Sequence, residues 1–144
     1  MNPAAPIDQY AAVQLERLLN GLEQALRNTK GSEGDPIHDL RVSIRRLIQG
    51  LRLFRDFLPK AEVKQIRKLL RPMIDLTSEV RNRDIAIELI SDSKNTRLKQ
   101  QIRKDRKAWA ERFQQAVRQW KTDRLLIQWR NTLEVNAREP EVSN

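Results

Sequence analysis

Leu40, Ile44, Leu47, Leu51, Phe54 and Leu58 follow one another at steps of three and four residues. On a wheel of about 100° per residue they fall within an arc of about 80°. A strand turns alternate residues to opposite faces and could not keep such a series together. The stretch is therefore predicted to be an amphipathic helix with one core face. His38, Arg41, Arg45 and Arg52 occupy the arc immediately beside that face, and Arg55 extends their row. Arg46 alone points the other way.

The rest of the chain follows the same period. A first helix is expected from about Pro6 to Asn28, striped by Ala11, Leu15, Leu18, Leu22 and Ala25, with a Gly- and Ser-containing loop from Thr29 to Asp35. Asp35 as a cap with Pro36 at the first helical position should start the second helix, which is expected to reach about Leu58. Pro59 opens a third, expected to end near Val80 and to kink at Pro72, where a backbone N–H is missing. A short segment from Asp84 to Ser91 follows. A long helix from about Thr96 to Trp120 carries Leu98, Ile102, Trp109, Phe113, Ala116 and Trp120 on one stripe, and Leu125 to Val135 forms the last. With only 4 glycines and 5% aromatic residues, the composition suits helices and disfavours sheets. The expected fold is all-α, a bundle of about six helices in a single domain over residues 1–135, with a frayed tail at 136–144.

Charge narrows the function. The net charge of +9 repels itself and does nothing for folding, so it points to an anionic partner. Lys60, Lys64, Arg67 and Arg71 line one flank of the third helix, beside an inner stripe of Val63, Ile66, Leu70, Met73 and Thr77. Between Arg41 and Arg71 the only acids are Asp56 and Glu62. Charge beside an apolar stripe is usually a solvated helix face, but such a face interleaves signs so that residues four apart attract. Arg41 and Arg45 face no acid at that spacing. Arginine also predominates on the second helix, and its planar fork grips phosphate oxygens in pairs. His38, the only histidine, stands near the positive end of that helix, where an anion is favoured.

The run IHDLRVSIRRLIQGLRLF, Ile37 to Phe54, is closely similar to the signature of the CHAD family, the conserved-histidine α-helical domains. The family pattern, H-D-x-R-V-x-x-R-R-L followed by L-R-x-F, is met by His38, Asp39, Arg41, Val42, Arg45, Arg46, Leu47, Leu51, Arg52 and Phe54. A second element, G-x-V-R-D-x-D-V, resembles SEVRNRDI through Val80, Arg81, Asp84 and Ile85. Ser78 stands where Gly is usual and Asn82 where Asp is usual. The resemblance implies an all-helical fold that binds inorganic polyphosphate, as chains or granules, without catalysis. It carries the binding role to His38, Arg41, Arg45 and Arg52, and the same basic rows add Arg55, Lys64, Arg67, Arg71 and Arg81. CHAD members usually hold two related helical halves. One histidine and one copy of the motif make this sequence look like a half-length version, with its arginine rows on an open face close to apolar residues such as Phe54, Phe57 and Leu58. This leads to the expectation of a homodimer whose contact is mainly apolar and away from the arginines, tightened by polyphosphate in a shared groove.

Other classes are weighed against this. A helical nucleic-acid-binding protein is the alternative, with Trp109, Trp120 and Trp129 as stacking platforms, although Trp109 and Trp120 share the apolar stripe. An enzyme is not expected, since the chain has no P-loop, no H-E-x-x-H and no nucleophile set beside its histidine. No cofactor and no metal are expected. Cysteine is absent, which excludes disulfide and thiolate chemistry. No apolar run reaches the roughly 18–20 residues of a membrane span, and the N-terminus lacks the basic-then-apolar pattern of a signal peptide. The expected location is cytoplasmic, at polyphosphate granules.

Overall fold

The computed structural model describes residues 9–29 and 34–133. The expected tail at 136–144, most of the loop after Thr29 and the first residues of helix one lie outside the described residues. Five α-helices follow in order: α1 (Gln9–Arg27), α2 (Gly34–Leu53), α3 (Lys60–Leu89), α4 (Thr96–Thr122) and α5 (Leu125–Thr132). A 3₁₀ turn, Arg55–Phe57, links α2 to α3. The described residues contain no strand.

The α2 stripe packs as its period requires. Leu40, Ile44, Leu47 and Leu51 are fully enclosed, and Phe54 and Leu58 complete the series beyond the helix end. They meet Leu15, Leu19 and Leu22 of α1 on one side and Ile66, Leu70 and Met73 of α3 on the other, in one core that α4 and α5 also enter. Each such side chain stabilises the fold by about 1.5–3 kcal/mol relative to exposure. Gly50 sets how closely α1 can approach. A β-carbon there would lie 2.5 Å from Leu18 Cδ1.

Helix boundaries differ from the sequence expectation at two places. α2 stops at Leu53 rather than Leu58, because the residue before a proline is driven to extended backbone. Leu58 has φ −123° and ψ 152° before Pro59. The expected break between Val80 and Asp84 does not exist, and α3 runs for 30 residues through Pro72 and on to Leu89. The helix holds because its polar stretch is used in packing. Arg83 Nε donates to Asp105 Oδ2 of α4 at 2.8 Å, and Arg106 Nε donates back to Asp84 Oδ1 at 2.6 Å. Arg83 also pairs with Glu79 one turn earlier. The α3–α4 turn ends with Asn95, whose side chain caps α4 by accepting from the Leu98 N–H at 3.0 Å.

At the other end, α5 is clamped to α1 by Arg130, which donates to Glu23 Oε1 and Asn20 Oδ1, each at 2.7 Å. The hydrogen bond from Arg130, reinforced by Arg27, holds the Glu23 carboxyl below its ordinary 4.5. A carboxylate with a lowered folded pKa stabilises the fold above its unfolded value, and that contribution disappears as pH falls through the folded one. Acid titration followed by the emission of Trp129, on the same helix, should therefore show α5 loosening below pH 4.5. Glu23→Gln should remove that acid step and leave the rest of the unfolding curve in place.

Candidate anion-binding site

α2 and α3 run antiparallel, and the seam between them opens into two hollows. The first, of about 420 Å³, is lined by His38 and Arg41 from α2 and by Thr77, Arg81, Asp84 and Glu88 from α3, with Asp35 at its mouth. The second, of about 310 Å³, gathers Arg45 and Arg52 of α2 with Arg71 of α3, against a single acid, Asp75. Arg52 also borders a shallower depression with Arg55 and Asp56. The arginines stand here because their positions on α2 adjoin the buried stripe, so their stems leave the core at the seam, and Arg45 and Arg52 end in solvent.

The two hollows differ electrostatically. The second is clearly cationic. The first places three carboxylates near two arginines, although Asp84 is already engaged by Arg106. An anion is therefore favoured most strongly around Arg45, Arg52 and Arg71.

The cations of the chain fall into two sets. Arg27, Arg83, Arg106 and Arg130 are each ion-paired within the fold. Among the described residues, no ion pair joins His38, Arg41, Arg45, Arg52, Arg71 or Arg81 to an acid. The Nε of Arg41 is buried and lacks a hydrogen-bond acceptor, and a buried donor left so costs about 1–3 kcal/mol.

Of the residues singled out by sequence, the seam brings together His38, Arg41 and Arg81 in one hollow and Arg45, Arg52 and Arg71 in the other. Arg55 lies at the end of the row, its guanidinium turned back onto the Arg52 carbonyl at 3.4 Å. Lys64 and Arg67 sit further along α3 and line neither hollow. Arg46 is exposed and lines neither as well. Sequence reasoning missed the acids Asp75, Asp84 and Glu88 and the Arg106 pairing. The mirrored dipeptides Arg83-Asp84 and Asp105-Arg106 were the available signal for that pairing.

The tryptophans are not open platforms. Trp120 and Trp129 are buried edge-to-face against each other, with ring centroids 5.5 Å apart. Trp109 has the guanidinium groups of Arg83 and Arg112 over its ring, at 5.3 and 4.5 Å from the centroid. Another basic hollow runs along α4, with Arg103, Lys107 and Arg118 around Glu111.

Fold and site together define an all-helical protein with an unpaired basic seam between its second and third helices. The family model of the CHAD domain matches residues 9–144. The chain belongs to the CHAD domain family. No curated protein and no solved structure matches it.

The geometry separates site charge from net charge. Arg45→Glu and Arg52→Glu should each weaken polyanion binding about tenfold or more, whereas Arg46→Glu should cost a small fraction of that. Calorimetric titration of the three variants against long-chain polyphosphate measures this. Equal losses at all three would mean that overall charge, not the seam, governs binding.

Proposed function

We propose that the protein binds inorganic polyphosphate, without cleaving it, along the seam between α2 and α3. The convergence of Arg45, Arg52 and Arg71 on one hollow with a single opposing acid carries this reading. Guanidinium forks from two helices can hold successive phosphates of a linear anion bidentately. The unsatisfied Nε of Arg41 extends the row, since a modest turn of that side chain toward the hollow would give it a phosphate oxygen. His38 supplies a ring N–H donor at the far end. The acids around Arg41 and Arg81 make that end the weaker part of the site. On this reading the protein acts in the cytoplasm, at polyphosphate granules.

The nucleic-acid alternative loses its main support, because two of the three tryptophans are in the core and the third is covered by arginines. No helix among the described residues is long and apolar enough to cross a membrane.

Counterion release makes binding to a phosphate polymer weaken linearly on a log–log plot against salt. Titrations at several salt concentrations should give that slope, with long chains far tighter than pyrophosphate and with no phosphate released. DNA at equal phosphate concentration should compete poorly. Orthophosphate competing as well as long chains would show that no extended site exists.

We also propose that two copies pair, with polyphosphate strengthening the contact. Phe54 and Leu58, expected on the open side near the arginine rows, are in the core, whereas Leu53 is 74% and Phe57 42% exposed. Analytical ultracentrifugation with and without polyphosphate should report a dimer that the ligand tightens. A species of 16.9 kDa under both conditions would exclude it.

A further inference from the structure

On the opposite side of the bundle, the ends of α1 and α4 and the start of α5 enclose a hollow of about 360 Å³. Its chemistry is unlike that of the seam. Leu26, Trp120 and Leu125 are buried beneath it, and Leu126 and the half-exposed Ile127 continue the apolar surface to its lip. Around this surface stand Arg27, Lys121, Arg124 and Arg130, against Glu23 alone. Glu23 is already shared by Arg27 and Arg130. Lys121 and Arg124 have no ion-pair partner among the described residues, so the hollow keeps a net positive rim over an apolar floor.

Backbone geometry gives a second, independent indication. Arg124 has φ 53° and ψ 44°, and it is the one non-glycine residue with positive φ among the described residues. It follows Asp123, the C-cap of α4, and its N–H bonds back to the Lys121 carbonyl at 3.2 Å. That is the position after a helix where glycine is the usual occupant, since a β-carbon is disfavoured in the left-handed region. Here the chain tolerates the strain and places a guanidinium at the rim instead. Strained residues are held by the structure around them, and they cluster at ligand-binding sites.

We propose that this corner is a second binding site, for a small amphiphilic anion with a phosphate or carboxylate head on an aliphatic body. Lys121 and Arg124 hold the head, and Leu26, Leu125, Leu126 and Ile127 cover the body. An aromatic ligand is less suited, because Trp120 is buried against Trp129 and has no open face for stacking. The volume lies within the range of small-ligand pockets, at its lower end. Neither part of the site suffices alone. Inorganic phosphate leaves the floor uncovered, and an alcohol of the same length leaves the cations unused.

The test uses decyl phosphate, decanoate, decanol and inorganic phosphate, titrated against the full chain and followed by calorimetry and tryptophan emission. Both amphiphilic anions should bind, and decanol and inorganic phosphate should bind at least about tenfold more weakly. Arg124→Gly gives the sharper result. It relieves the left-handed strain, so Tm should rise by about 2–5 °C, while affinity for decyl phosphate should fall about tenfold. Lys121→Gln should lower affinity similarly, and Arg46→Glu, which carries a larger charge change elsewhere, should leave it unchanged. Unchanged affinity in Arg124→Gly, or equal binding of decanol, would overturn the proposal. Binding to vesicles containing anionic lipid, with none of the free amphiphiles bound, would overturn it in favour of a membrane-surface contact.

Discussion

The packing of the α2 stripe between α1 and α3 is the constraint on which the remaining structure depends. Leu40, Ile44, Leu47 and Leu51 must all face inward, and this fixes the rotation of the helix about its own axis. Once that rotation is set, Arg45 and Arg52 can emerge only at the seam with α3. The repulsion between Arg41 and Arg45, one turn apart on the same row, costs a few tenths of a kcal/mol. Several buried leucines, each contributing about 1.5–3 kcal/mol, outweigh it easily. The hydrophobic effect thus holds like charges side by side where electrostatics alone would spread them.

Charge is divided accordingly. Arg83, Arg106 and Arg130 tie helix to helix through carboxylates and are spent within the fold. The seam arginines have been left without such partners, and Asp75 is the one acid in their principal hollow. A protein using its cations only for solubility would interleave them with acids, as the α3–α4 contact does. The difference between the two regions, within one chain, is stronger evidence of a binding surface than the net charge.

Much of this was legible in the sequence, where local period and local sterics decide the outcome. Every α2 residue assigned to the core stripe is buried, and Pro59 forces the extended backbone that separates α2 from α3. What local pattern could not give was any feature settled by a distant residue. Asn82, Arg83 and Asp84 look like a polar break in isolation, yet they continue a helix because α4 answers Arg83 and Asp84 from 22 positions away. The same limit hid Asp84 and Glu88 as neighbours of Arg41, which they reach only across the seam. Lys64 and Arg67 share a flank with Arg71 on the wheel, but the seam widens into its hollows at Arg71 and Arg81, not beside them.

The mirrored pairs between α3 and α4 have a consequence beyond attachment. Each is partly exposed, so its energy is small, about 0.2–1 kcal/mol. Their order matters more. Arg83 meets Asp105 and Asp84 meets Arg106, so rotating either helix by one residue would oppose Arg83 to Arg106 and Asp84 to Asp105. Both attractions would become repulsions at once. The two dipeptides therefore work as an error check on helix phase, since a slip would lose two attractions and add two repulsions of similar size. Because Asp84 also lines the first hollow, the same check sets which side of α3 is presented to the seam.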